Sequence, residues 1–136
     1  MTITQTQRDE LVARALEARR HAYARYSNYA VGAALLAGTG KIYSGANVEN
    51  AAYPTGICAE RAALFHAVSE GERQFEAIAV ATENAGMPCG ACRQALSEFG
   101  LDTLVLVANT GGKIVSETTL AALLPQAFRP DHLPRG

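Results

Sequence analysis

No apolar stretch in these 136 residues approaches the ~20 needed to cross a bilayer as a helix. The first twenty residues are polar and charged, with no hydrophobic centre of a secretion signal. Neither a membrane partner nor export is expected, and the expected compartment is cytoplasmic. Charge of one sign is missing as well: 12 basic and 13 acidic side chains leave a net −1. With no basic field and no aromatic-basic stretch, no nucleic-acid partner is expected, although a small neutral ligand is not excluded. Cysteine is scarce and odd in number. Three thiols cannot pair off completely, and in a reducing compartment clustered thiols bind metal more often than they form disulfides. Internal repeats and low-complexity segments are absent too, so the length fits a single domain over residues 1–136. With 49% hydrophobic residues, such a domain can bury a core without disulfide staples.

Hydrophobic periodicity orders the chain. Residues 7–24 read as an amphipathic helix, with Thr6 as N-cap and Leu11, Val12, Ala15, Leu16 and Tyr23 near one face. Residues 29–36 are almost continuously apolar, as in a strand buried on both faces. Gly38-Thr39-Gly40 signals a tight turn, so residues 41–48 return as the second strand of a hairpin. A Pro- and Gly-punctuated loop precedes a helix over 57–70, which Gly71 ends. Residues 75–82 and 101–108 read as strands. Between them lies a helix with Pro88 in its first position. A short strand over 113–115 and a helix over 116–124, capped by Ser116 or Thr118, close the chain before an irregular tail with three prolines. This order predicts an α/β fold, a mixed sheet with helices on both faces. The crossovers after Val48 and Thr82 predict that each joins parallel neighbours.

All three cysteines fall in two short stretches, Cys58-Ala59-Glu60-Arg61 and Pro88-Cys89-Gly90-Ala91-Cys92-Arg93. Cys89 and Cys92 are three apart on a helix and share a face, which Leu96 and Phe99 continue inward. Both are expected on the buried side, at a helix start that favours thiolates. Cys58 also begins a helix. If the two starts meet, three thiolates converge and can hold zinc one ligand short of a closed cage, which leaves the fourth position to water. Glu60 can then take a proton from that water, or merely stabilise the helix dipole. Arg61 and Arg93 either donate to cysteine sulfur or are ordinary surface charges.

The pairing of Cys-x-Glu with Pro-Cys-x-x-Cys is the signature of the zinc nucleobase deaminases. The chain resembles the small, all-cysteine, homotetrameric cytidine deaminases. The likeness runs through residues 26–36, 45–64, 88–96 and 123–128 and so covers most of the chain. It implies a three-layer α/β/α sandwich with a five-stranded sheet. It also implies one Zn²⁺ per subunit on Cys58, Cys89 and Cys92, with Glu60 as proton shuttle. The implied reaction is hydrolytic deamination of cytidine and deoxycytidine in pyrimidine salvage. Further implied roles are ribose binding by Asn47 and Glu49, stacking on the base by Tyr29, and a backbone contact from Ala59. Tyr53 and Phe128 are implied to complete a neighbouring subunit's site. The blander alternatives are that Asn47 and Glu49 only end a strand and that Phe128 only anchors the tail. Tyr29 stands where the family usually has Phe, so its hydroxyl needs a partner or solvent. Met87 replaces a common Ser, and Ala46 a common Cys.

Three rival functions share some of these features. Blasticidin-type deaminases carry the same zinc and glutamate motifs but are disfavoured by Asn47-Val48-Glu49. A zinc-stabilised binding module needs a fourth protein ligand or a plugged pocket, yet His66, the only histidine near the motifs, lies too far down its helix to ligate. Nucleic-acid editing is disfavoured by the near-neutral charge.

Overall fold

The computed structural model describes residues 3–134. Its elements are α1 (Gln5–Arg19), β1 (Val31–Ala37), β2 (Ile42–Ala46), α2 (Ala59–Ser69), β3 (Phe75–Thr82), α3 (Gly90–Ser97), β4 (Leu104–Ala108), β5 (Ile114–Thr119) and α4 (Leu120–Leu123). Helix α1 starts two residues earlier than predicted. Thr4, not Thr6, is its cap: the Thr4 hydroxyl accepts from Gln7 N at 3.0 Å, and Gln7 Oε1 accepts from Thr4 N at 2.8 Å. The helix also ends earlier, before Tyr23. That residue's backbone pairs with Asn47 and Glu49, which turns its ring out of the expected apolar face and leaves it half exposed.

The five strands form one mixed sheet in the order β2-β1-β3-β4-β5. The hairpin β1–β2 is antiparallel, and β3 and β4 are parallel, as expected. The expectation of parallel β2 and β3 is corrected: β3 pairs with β1, antiparallel, from Val31↔Thr82 onward. Burial explains the choice. Strand β1 is apolar on both faces and belongs inside the sheet, whereas β2 is mostly half-buried and suits an edge. The end of the chain is corrected too. Residues 114–119 are a full edge strand rather than the start of a helix. Glu117 is held there by a bidentate bond from Arg8 of α1, and Thr119, not Ser116 or Thr118, caps the one-turn α4.

Two cores flank the sheet. On one face Leu11, Val12 and Ala15 of α1 meet Leu36, Ala79 and Leu106. On the other, Ala59, Ala63 and Leu64 of α2 and Leu96 of α3 meet Leu35, Val80 and Val107. The result is an α/β/α sandwich. Gly32 lets α1 settle directly on the sheet: a β-carbon there would stand 1.9 Å from the Ala15 carbonyl oxygen and 2.5 Å from Arg19 N. Both obstacles are backbone and cannot swing aside. Gly32→Ala is therefore expected to cost about 1–3 kcal/mol and lower Tm by roughly 5–10 °C. A thermal melt as stable as the parent's would refute this account of the packing.

Candidate active site

Both helices on that second face begin with a cysteine. Cys58 is the N-cap of α2 and Cys89 the N-cap of α3, each with extended backbone (φ −76°, ψ 154° and φ −69°, ψ 169°). Caps are ordinarily Ser, Thr, Asp or Asn, whose oxygens accept from the first helical N–H groups. Neither sulfur makes such a bond, so both remain available to a ligand. Cys92 follows in the first turn of α3 and is fully buried. The extended backbone at position 89 corrects two expectations. Pro88 precedes the helix rather than opening it, and Cys89 is exposed rather than sharing the buried side with Cys92.

The sulfurs of Cys58 and Cys89 are 3.8 Å apart, those of Cys89 and Cys92 3.5 Å, and all three lie within 4.8 Å of one another. The edge of a tetrahedron of sulfurs about 2.3 Å from zinc is about 3.8 Å, so the trio is spaced for that ion. Among the described residues no histidine, aspartate or glutamate joins the cluster. His66 sits instead edge-on to Tyr43, with ring centroids 5.2 Å apart.

The surroundings favour anionic sulfur. Arg61 Nη2 donates to Cys58 Sγ at 3.5 Å, and these contacts raise the guanidinium above its ordinary value. Its Nε is buried without a hydrogen-bond partner among the described residues, beside the cysteine cluster. The Cys58 thiol is pushed down to about 5, first by a hydrogen bond from Cys92 and next by Arg61. Cys92 moves the other way, because its bond to Cys58, its burial and the nearby Glu60 charge all oppose a second thiolate. A divalent cation removes that conflict, since its ligands must be deprotonated. Arg93 does not serve sulfur. It donates to the Pro88 carbonyl at 2.8 Å and the Leu123 carbonyl at 2.9 Å, bracing the corner that carries Cys89.

Glu60, in the first turn of α2, is 5% exposed. Burial, with the Cys58 thiolate adding to it, raises its carboxyl above the usual range. It faces a cavity of about 180 Å³ whose walls include Tyr29, Cys58, Ala59, Met87 and Cys89. A larger cavity, about 540 Å³, adjoins it through Asn47 and Cys58 and is lined by Glu49, Tyr53 and Arg61. The smaller one brings Cys58 and Cys89 together with the buried carboxylate of Glu60, and the larger opens beside it. Phe128 lines neither. Its ring lies by His132, and its carbonyl accepts from Gln94 at 3.0 Å.

Residues 5–108 match the family model of the cytidine and deoxycytidylate deaminase zinc-binding region. The chain belongs to this family. Its relatives include the cytidine deaminases of Sporosarcina psychrophila, 49% identical over 92% of this chain and 93% of the relative, and of Halalkalibacterium halodurans, 47% identical over 93% and 97%. The crystal structure of cytidine deaminase from Burkholderia pseudomallei superposes with a TM-score of 0.84 at 46% identity, covering 93% of this chain and all of that one. The family is a zinc-binding one, and the three-thiol cluster accounts for one Zn²⁺ per chain.

Within this deaminase frame, some residues escaped sequence reasoning. Glu49 is not free: its carboxylate accepts from the N–H groups of Tyr26 and Ser27 and from the Ser27 hydroxyl. That hydroxyl's bond comes first among the causes holding Glu49 below the ordinary carboxylate range. Asn47 accepts from Val31 N at 2.9 Å and donates to the Tyr29 carbonyl at 2.8 Å. The hydroxyl of Tyr29 finds Asn84 Oδ1 at 2.6 Å. Ser27 was legible only as a turn residue, and Asn84 carries no sequence signal at all.

Proposed function

We propose that this chain, acting as one catalytic domain, hydrolyses cytidine and deoxycytidine to uridine and deoxyuridine with release of ammonia. One observation carries the reading: a buried, protonatable carboxylate and two members of a three-thiol cluster, Cys58 and Cys89, line the same small cavity. Cys58, Cys89 and Cys92 would hold the zinc. When bound, zinc supplies Lewis acidity that brings the pKa of water toward neutrality. Glu60 accepts a proton from the attacking water and delivers it to ring N3, then carries a second proton to the exocyclic amine. C4 thereby gains oxygen and loses nitrogen as ammonia, with water the only co-reactant. The raised carboxyl of Glu60 suits a group that must both take and give a proton.

Arg61 offsets the excess negative charge of three thiolates from outside the ligand set. The Tyr29 ring stacks on the base, and the Ala59 backbone meets its amide edge. Asn47 keeps one N–H and one lone pair for ribose, and Glu49, ionised, offers its remaining lone pairs to sugar hydroxyls. Tyr53, 76% exposed, and Phe128, 54% exposed, act at a neighbour's site in a homotetramer. Exposed rings of that size support burial by another copy. The proposed setting is pyrimidine salvage in the cytoplasm. Among the described residues no helix is long and apolar enough to cross a membrane.

The decisive experiment measures zinc per chain alongside loss of cytidine's ultraviolet absorbance, with deoxycytidine and blasticidin S compared under the same conditions. One zinc per chain and turnover of both nucleosides are expected. A zinc-loaded protein that leaves cytidine unchanged would return the chain to the binding-module reading. Sedimentation should give a particle about four times the 14.4 kDa chain, and a monomer that retains full turnover would remove the shared-site assignment.

A further inference from the structure

The ladder between β1 and β3 ends at Val31↔Thr82. Two side-chain bonds carry the contact beyond that end. Thr82 Oγ1 donates to the Ala30 carbonyl at 3.0 Å, and two residues out on each strand the Tyr29 hydroxyl donates to Asn84 Oδ1 at 2.6 Å. The loop then folds around the phenol. Ala85 takes a left-handed backbone at φ 55°, and a β-carbon at Gly86 would lie 2.5 Å from the Tyr29 hydroxyl. Met87, buried Pro88 and Cys89 follow, so residues 83–89 run from the tether to a cluster thiol.

Tyr29 is therefore held at three points. Its N–H donates to Ser27 Oγ at 3.0 Å, its carbonyl accepts from Asn47, and its hydroxyl is bound by Asn84. The first two fix the backbone. Only the third fixes the ring, which forms one wall of the 180 Å³ cavity, while the loop it binds forms another through Gly86 and Met87.

We propose that Asn84 is a positioning residue for substrate: by holding the phenol of Tyr29 it joins two walls of the base cavity and sets the ring for the nucleoside. This rests on the deaminase reading above. A wall fixed before binding need not be ordered at the expense of affinity, so loss of the tether acts on binding and not on the proton transfers at Glu60. Asn84 and Tyr29 are both exposed, so their replacement leaves the core intact.

The test compares wild type with Asn84→Leu, Asn84→Asp, Tyr29→Phe and the double variant Asn84→Leu/Tyr29→Phe. For Asn84→Leu, the KM for cytidine and the inhibition constant of uridine should rise together by roughly threefold to tenfold, the worth of one hydrogen bond. Its kcat, zinc content and Tm should match wild type. Asn84→Asp keeps the acceptor oxygen and should restore both constants. The double variant should be no worse than either single one, because both remove the same bond. Wild-type constants in Asn84→Leu, failure of Asn84→Asp to restore them, or additive losses in the double variant would each overturn the proposal. Absence of cytidine turnover by the wild type would take the deaminase reading down and this one with it. Turnover by the wild type with no effect of Asn84→Leu removes the tether alone.

Discussion

Glu60→Gln leaves a protein that folds and holds its zinc but deaminates cytidine roughly 10² to 10⁴ times more slowly. Glutamine matches the shape of the side chain it replaces, so a site only 5% exposed stays filled and Cys58, two residues earlier, stays in place. What disappears is the ability to carry a proton. Burial has already raised the Glu60 carboxyl, so it takes up a proton more readily than an exposed glutamate does. An amide of equal size can do neither. The loss should fall in kcat, with zinc content and Tm near the parental values. A glutamine variant with full turnover and one zinc per chain would show that the proton moves by another route. If Glu60 served only the helix dipole, substitution would cost at most about 1 kcal/mol of stability and leave the rate alone.

Cys92→Ala has the second large effect, and it reaches both activity and stability. Cys92 is the fully buried member of the trio, 3.5 Å from the Cys89 sulfur. Losing a group that only supports a metal ligand typically weakens binding roughly 10- to 100-fold. Removing a ligand itself should exceed that, taking zinc well below one per chain and cytidine turnover with it. Because metal binding contributes to folding free energy, Tm should also fall, and added zinc should restore little of it. Metal analysis, turnover and a thermal melt on one preparation decide the matter. A Cys92→Ala protein with full zinc would mean that another group completes the site.

The chemistry of this site is largely written locally, which is why short motifs exposed it. Cys58 with Glu60, and Cys89 with Cys92, are each set by a single helix start, and the spacing along one turn determines which atoms can converge. The sheet order is not local. Residues 41–48 and 75–82 looked like neighbours because they follow one another around a helix. The pairing of β3 with β1 instead depends on which strand is apolar on both faces, a comparison across the whole chain. The stretch 116–124 misled for a different reason. Ser116, Thr118 and Thr119 suit a helix start as well as an edge strand, and the deciding contact is Arg8, more than a hundred residues away. Cys89 shows the finest such limit. Helical spacing put it on the buried side with Cys92, whereas an N-cap lies outside the helical φ/ψ region, so its sulfur meets that of Cys92 from the exposed side. Asn84 was invisible because its significance depends on a phenol that sequence separates from it by 55 positions.

The cysteine caps have one more consequence. A helix begun by Ser or Asp carries its own fastening, whereas α2 and α3 begin with sulfurs that bond to none of their N–H groups. The ion that gathers those sulfurs thus becomes the pin at the head of both helices. Chelation should then loosen the very turns from which the thiols project, so that emptying the centre and blurring its shape become the same event.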